Sequence, residues 1–150
     1  MTEEPRDDLL VEDAAQPAKY RVYADTPLTE VVDLMVRRGL SALPVVGERY
    51  EVLGIITTGD ALGRVLRDAR PDEGEGSGKP LEARDVMTRA VLCVSETQPL
   101  MDAARMMVNR KVEQLPVVRD GELIGLITRS AVLRAIHGEP HDDETTTRDP

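Results

Sequence analysis

The sequence predicts an α/β protein in which two β-α-β-β-α repeats pack with pseudo-twofold symmetry into one module. The first observation is an internal repeat, since Leu-Pro-Val-Val occurs at 43–46 and again at 115–118. The second is that Gly-x-Ile-Thr follows in both copies, at 54–57 and 125–128. The third is that each copy, at about 55 residues, is too short to bury a large core alone. Two copies that share one core would overcome this limit.

Each predicted element follows from a local pattern. Short strands are predicted at 20–23 and 91–94, and Pro27 and Pro99 then occupy the first position of a helix, where proline is tolerated. Apolar residues recur in these helices at the i, i+3, i+4, i+7 spacing of one buried face. The residues on that face are Leu28, Val31, Val32 and Met35 in the first copy and Leu100, Ala103, Ala104 and Met107 in the second.

The second half of each copy is typical of two strands and a helix. Leu-Pro-Val-Val is a β-branched run, and the next strand is predicted at 52–56 in the first copy and at 123–127 in the second. Asp120-Gly121, between the two strands of the second copy, is a strong hairpin signal. Helices are predicted at 60–67 and 130–137, and Gly138 suits the end of the latter.

The remaining segments predict the boundaries of the repeats. Residues 71–80, rich in glycine and acidic residues with proline at both ends, are expected to form a flexible linker. The linker separates a first repeat at 9–70 from a second repeat at 81–138. The polar residues 1–8 and the acidic tail 139–150 lack apolar periodicity, and we expect both to be disordered.

The overall charge argues against several classes of function. The net charge of −9 and the pI of about 4.7 are opposite to the basic surface that a nucleic-acid-binding protein needs. No apolar run is long enough to predict a transmembrane helix, and the acidic, polar N-terminus does not resemble a signal peptide. We therefore expect a soluble, cytoplasmic protein that binds neither nucleic acid nor membrane.

The sequence contains no recognisable catalytic constellation. Gly-Ser-Gly-Lys in the linker lacks the first glycine and the final Ser or Thr of a phosphate-binding loop, because Glu73 and Pro80 stand at those positions. The single cysteine, Cys93, lies in a predicted strand and is interpreted as a small apolar residue. No metal-ligand spacing stands out. We therefore predict a protein that is not an enzyme and holds neither a metal nor a cofactor.

Ile-Thr-x-x-Asp at 56–60 has the most informative chemistry. It is predicted to join the end of a strand to the start of a helix, where free N–H groups and the positive helix end attract a phosphate. Thr57 can donate its hydroxyl, and the two oxygens of Asp60 can accept from the vicinal hydroxyls of a ribose. The same two side chains can instead cap the helix. The residues alone leave both roles open.

Asp-Val-Met-Thr at 85–88, the two Leu-Pro-Val-Val strands and Gly-x-Ile-Thr-x-x-Asp together resemble tandem CBS domains, the Bateman module. The resemblance covers about residues 9–137 and implies the same β-α-β-β-α repeats. It also implies a regulatory module that binds an adenosine-containing ligand (AMP, ADP, ATP or S-adenosylmethionine) between the repeats and senses energy or metabolic state. Such modules commonly form homodimers, and a regulated protein partner is a further expectation.

The resemblance implies two pseudo-symmetric sites. At the first, residues of the first repeat would hold phosphate and ribose while residues of the second contact adenine. This site comprises Thr57, Asp60, Val91, Val112, Glu113, Gln114, Leu115 and Pro116. The weaker second site comprises Lys19, Leu40, Ser41, Ala42, Leu43, Pro44 and Thr128.

Departures from the family pattern make the two sites unequal. Ala131 stands where the second repeat would carry its ribose-binding aspartate, and Asp-Ala-Ala-Gln at 13–16 replaces Asp-Val-Met-Thr. Glu113 puts a negative charge near the expected adenine edge, where it either accepts from an exocyclic amine or repels the ligand. We therefore expect one adenine nucleotide per chain (AMP, ADP or ATP), bound at Asp60. The alternative is a ligand-free module for dimerisation or partner docking.

Overall fold

The helices and strands of both repeats follow the predicted β-α-β-β-α order in the computed structural model, which describes residues 8–68, 79–89 and 92–138. A 3-10 turn (Val11–Asp13) and strand β1 (Gln16–Pro17) come first. The first repeat continues with β2 (Val22–Tyr23), α1 (Leu28–Arg38), β3 (Ala42–Val46), β4 (Val52–Thr57) and α2 (Thr58–Asp68). A short helix, α3 (Ala83–Val86), precedes the second repeat. That repeat contains β5 (Val94–Ser95), α4 (Leu100–Arg110), β6 (Gln114–Arg119), β7 (Glu122–Thr128) and α5 (Arg129–His137).

The element bounds differ from the predicted ones mainly at the short strands. The strand predicted at 20–23 begins only at Val22, and the one predicted at 91–94 is formed by Val94 and Ser95. The second helix of each repeat begins earlier than predicted, at Thr58 and Arg129. Most of the predicted linker and both predicted disordered ends lie outside the described residues.

Two sheets carry these elements, one for each repeat. In the first sheet, of order β2-β3-β4, β3 is parallel to β2 and antiparallel to β4. The second sheet repeats this arrangement with β5, β6 and β7 and adds β1 at its edge.

Pro44 fits the central strand β3 because β2 pairs only with Val45 and Val46. The missing proline N–H therefore faces no ladder partner on that side.

Each sheet packs its apolar side chains into its own core cluster. The fully buried residues at the centre of the first cluster are Val31, Leu43, Val45, Ile56 and Ala83. Those at the centre of the second are Val11, Leu100, Ala103, Val117 and Ile127. The i, i+3, i+7 positions of α1, Leu28, Val31 and Met35, are buried as the helical spacing predicts.

The segments that lead into the two repeats change places. We call residues 9–17 and 81–88 the lead-in segments. The first pairs with the second sheet, since Gln16 lies opposite Leu126 in the β1–β7 ladder, and its Val11 is buried in the second core. The second lies on the first sheet, where Thr88 forms a bridge with Ile55. The first lead-in segment therefore packs on the sheet of the second repeat, and the second lead-in segment packs on the sheet of the first. These two segments connect the two repeats.

This exchange explains the glycine in both copies of Gly-x-Ile-Thr. A Cβ atom on Gly54 would lie 2.6 Å from the carbonyl oxygen of Thr88, and one on Gly125 would lie 2.7 Å from that of Gln16. Real Cβ atoms do not approach oxygen so closely, so each glycine permits the lead-in segment to reach the sheet.

Candidate ligand-binding cleft

A cleft of about 390 Å³ opens between the two repeats. Its volume falls within the range of roughly 300–1,000 Å³ that is usual for small-molecule sites. One wall belongs to the first repeat and the other to the segment between α4 and β6 of the second. The lining residues are Ser41, Ala42, Ile55, Thr57, Thr58, Lys111, Val112, Glu113 and Gln114. A hydrogen bond of 3.1 Å from Gln114 Nε2 to Ser41 Oγ joins the two walls.

The Thr57–Asp60 segment forms a reciprocal cap at the start of α2. The Asp60 amide donates to Thr57 Oγ1 over 3.1 Å, and the Thr57 amide donates to Asp60 Oδ2 over 3.0 Å. The hydroxyl of Thr88, in the second lead-in segment, also donates to Asp60 Oδ2, over 3.4 Å. These bonds fix the half-buried carboxylate beside the cleft.

Capping and ligand binding are compatible at Asp60. All the hydrogen bonds that the carboxylate accepts within the described part of the chain reach Oδ2, which leaves Oδ1 as an acceptor for a ligand. In the second repeat, Thr128 Oγ1 accepts from the Ala131 amide over 3.2 Å, and α5 forms without the acid. The carboxylate is thus not required to start a helix at this position.

A second cavity lies on the other side of Asp60. It measures about 380 Å³ and is lined by Gly59, Asp60, Gly63, Arg64, Arg67, Asp85 and Val86. Arg64 donates over 3.4 Å to the Asp85 carbonyl oxygen, which holds α2 against α3. Thr57 and Thr58 line the cleft while Gly59 and Asp60 line this cavity, so the first turn of α2 separates the two spaces.

The equivalent cavity of the second repeat has different chemistry. It measures about 340 Å³ and is lined by Leu9, Asp13, Ala14, Gln16, Ala131, Arg134, Ala135 and Gly138. Ala131, which is 4% exposed, occupies the place of Asp60. Asp13 lies on the lead-in segment and accepts from the Leu10 amide over 2.7 Å, as Asp85 does from Glu82 over 2.8 Å. The two cavities are therefore similar in size, but that of the second repeat lacks the carboxylate of Asp60 and is lined by one arginine where that of the first has two.

The structure brings together some of the residues predicted for the first site. Val112, Glu113 and Gln114 line the same cleft as Thr57, whereas Asp60 lines the neighbouring cavity on the other side of the first turn of α2. Leu115 and Pro116 are both buried in the inner strand β6, so neither lines the cleft. Val91 lies outside the described residues. The site as a whole stays a prediction.

The residues predicted for the second site are distributed differently. Ser41 and Ala42 line the first cleft. Leu43 and Pro44 are buried in β3, and Leu40 packs against the first core. Lys19 is exposed after β1, and Thr128 caps α5. Arg129, which follows Thr128, directs its guanidinium to the carbonyl oxygens of Val112 and Met107.

Two residues that the sequence-based site omitted are placed at it by the structure. Thr88 donates to the Asp60 carboxylate, and Lys111 lines the cleft. Thr88 belongs to the Asp-Val-Met-Thr motif, and its repeat partner is Gln16, so the sequence contained a signal for it. Lys111 aligns with Gly39, an unusual pairing that the repeat alignment also contained.

Other candidate chemistry is limited in the described residues. The Cys93 thiol is about half-buried, and burial raises its pKa, which reduces the thiolate fraction and makes it a poor nucleophile. No group of three His, Cys, Asp or Glu side chains in residues 8–68, 79–89 and 92–138 is placed to hold a metal ion. Over the same ranges, every helix is too short or too polar to cross a bilayer.

Comparison with known proteins identifies both halves of the chain. The family model described as CBS domain matches residues 11–67 and 83–138. An uncharacterised protein of Methanopyrus kandleri is 31% identical over an alignment of 122 positions that covers 78% of this chain and 59% of that protein. The chloroplastic CBS domain-containing protein CBSX1 of Arabidopsis thaliana is 32% identical over an alignment of 132 positions that covers 73% of this chain and 56% of CBSX1. The chain thus spans little more than half the length of these relatives.

A solved structure extends the likeness to the fold. The crystal structure of CBSX2 in complex with AMP superposes with a TM-score of 0.72 at 31% identity. The match covers 84% of this chain and 94% of that one.

Proposed function

The chain belongs to the CBS-domain family, with two CBS domains in tandem, and from this premise we propose that it is a regulatory module that binds one adenine nucleotide at Asp60. The observation that carries the proposal is the asymmetry between Asp60 and Ala131 at equivalent helix starts. The AMP bound in the CBSX2 structure supports the ligand class. The proposed ligand is AMP, ADP or ATP, and S-adenosylmethionine is the competing member of the class.

In this proposal the ligand bridges the two repeats. The adenine lies against Val112–Gln114 and the phosphate near Thr57 and the start of α2, in the cleft that Lys111 also lines. The ribose hydroxyls donate to Asp60, at the boundary with the neighbouring cavity. Helix starts attract phosphates because their N–H groups are unpaired and the helix dipole is positive there. A ligand in this position stabilises the contact between repeats and acts through Thr88 on the second lead-in segment. The module regulates by this coupling and performs no chemistry of its own.

A thermal-shift screen tests the ligand class. AMP, ADP, ATP and S-adenosylmethionine are each added at about 100 times the expected Kd, where mass action stabilises the folded state by about 2.7 kcal/mol. We expect the best ligand to raise Tm by roughly 5–10 °C. GMP at the same concentration serves as the control and should give a small shift. If none of the four ligands moves Tm, the proposed function is wrong.

A second function, assembly, is favoured by apolar residues on the outer faces of the helices. Val36 and Val108 hold equivalent positions on α1 and α4 and are 74% and 71% exposed. Leu62 and Leu133 are equivalent on α2 and α5 and are 60% and 67% exposed. Contiguous exposed apolar surface is typical of protein interfaces. We propose that these faces form a homodimer, which is compatible with ligand binding and would by itself suffice for a ligand-free docking module.

Light scattering after size-exclusion chromatography tests the dimer. The wild-type chain should elute with the mass of two copies, because pairing buries the four exposed side chains. The double substitution Leu62→Glu and Leu133→Glu should give a monomer, since it places charges in the interface. Val22→Glu is unsuitable as a control because that residue is buried, whereas Glu48→Lys changes an exposed charge in the loop between β3 and β4, which belongs to neither helix face, and should leave the dimer intact. A monomeric wild type at micromolar concentrations would exclude the proposed dimer.

A further inference from the structure

Lys111 has a backbone conformation that normally belongs to glycine. It ends α4 with φ 56° and ψ 40°, in the left-handed region. Gly39 ends α1 with φ 64° and ψ 39° at the equivalent position of the first repeat. In this conformation the Cβ of an L-residue crowds the following carbonyl oxygen, and glycine avoids the crowding. A lysine here is unfavourable for the backbone, so its side chain is the place to look for a compensating role.

Lys111 lines the cleft between the repeats, and its side chain is exposed. It carries the single positive charge among the residues that line this cleft, and Glu113 carries the single negative charge. Within residues 8–68, 79–89 and 92–138 the Lys111 ammonium makes no hydrogen bond or ion pair. It is therefore available to an anionic group of a ligand.

The arginines near the cleft are either hydrogen-bonded to backbone carbonyl oxygens or line the neighbouring cavity. Arg129 Nε donates over 3.0 Å to the Val112 carbonyl oxygen, and its amide donates over 3.3 Å to that of Glu113. These bonds hold the backbone directly after Lys111. Arg64 and Arg67 line the cavity beyond Asp60 and not the cleft. Lys111 is thus the cation that the cleft itself offers, on a segment held in place by Arg129.

From these observations we infer that Lys111 makes the cleft selective for adenosine ligands that carry a phosphate over neutral or cationic ones. Its ammonium forms a charge-assisted hydrogen bond with the phosphate of AMP, ADP or ATP. Adenosine and methylthioadenosine lack that partner, and S-adenosylmethionine brings a sulfonium cation. The inference rests on the proposed function, because it assigns the ligand's charge at the same site.

Lys111→Gly separates the backbone strain of this residue from the role of its charge, because stability should rise while AMP binding should weaken. Removal of the left-handed strain should raise Tm by about 2–4 °C. Loss of the ammonium should weaken AMP binding about tenfold while the Kd of adenosine stays within about twofold. Lys111→Met removes the charge and keeps the strain, so AMP binding should weaken equally without a gain in Tm. Lys111→Arg should bind AMP within about threefold of the wild type.

The measurement is titration calorimetry of AMP and adenosine with each folded variant, at low salt and at about 0.5 M salt, where exposed charges are screened. If Lys111→Gly and Lys111→Met bind AMP as tightly as the wild type, or lose AMP and adenosine in equal proportion, the role of Lys111 is overturned and the proposed function stands. If the wild type binds neither adenosine nor any of AMP, ADP and ATP, both are overturned.

Discussion

Replacing Asp60 by alanine is expected to lower the affinity for AMP by a factor of about 10 to 150. The substitution removes the acceptor for the ribose hydroxyls, and a hydrogen bond to a charged group contributes about 1.5–3 kcal/mol. Each 1.4 kcal/mol corresponds to about a tenfold change in Kd. The helix itself should persist, because α5 forms after its N-cap Thr128 with alanine at the position equivalent to Asp60. Titration calorimetry measures the affinity, and circular dichroism confirms the fold.

Glu113→Gln is the matched control for this loss. It also removes one negative charge from the cleft and leaves the Thr57–Asp60 cap unchanged. Because AMP is an anion, a pure charge effect would raise its affinity in both variants. Weaker binding in Asp60→Ala alone would assign the effect to the carboxylate as an acceptor. Unchanged AMP binding in Asp60→Ala would exclude the proposed site.

Gly54→Ala is expected to destabilise the fold by about 1–3 kcal/mol, the usual cost of an overpacked interior site. The new Cβ would lie 2.6 Å from the Thr88 carbonyl oxygen and 2.8 Å from the Met87 sulfur, so the second lead-in segment must move away from β4. Thr88 would then move away from Asp60, and AMP affinity should fall as well. Urea denaturation monitored by circular dichroism measures the free energy of unfolding.

Gly63→Ala is the control for the glycine substitution. Gly63 lies in α2, and a Cβ there would meet nothing within 4 Å. Alanine in a helix interior is more favourable than glycine by about 0.5–1 kcal/mol, so this variant should be more stable than the wild type. Equal stability of Gly54→Ala and the wild type would contradict the close contact between the second lead-in segment and Gly54 of β4.

The repeat order could be predicted from the sequence because it depends on local patterns. The spacing of Leu28, Val31 and Met35 identifies a buried helical face, and Leu-Pro-Val-Val identifies the central strands. The exchange of lead-in segments could not be predicted in this way. It depends on two-residue strands and on long-range contacts such as Val11 in the second core, and neither leaves a periodic signal.

The candidate site was predictable where the repeat alignment was informative. The contrast between Asp60 and Ala131 is visible in the sequence, and the structure places Thr57 and Val112–Gln114 around one cleft. The burial of both Leu115 and Pro116 depends on the inner position of β6 in its sheet, where both faces are covered, and a local sequence pattern does not reveal that position. Likewise, the left-handed backbone of Lys111 is a property of the folded chain.

The stoichiometry of AMP binding tests the central claim most directly. Titration calorimetry of the wild-type chain with AMP should show one molecule bound per chain, because the Asp60 side offers a carboxylate that the Ala131 side lacks. Two equally strong sites per chain would contradict the claimed asymmetry, and absence of binding by AMP, ADP and ATP alike would contradict the ligand class.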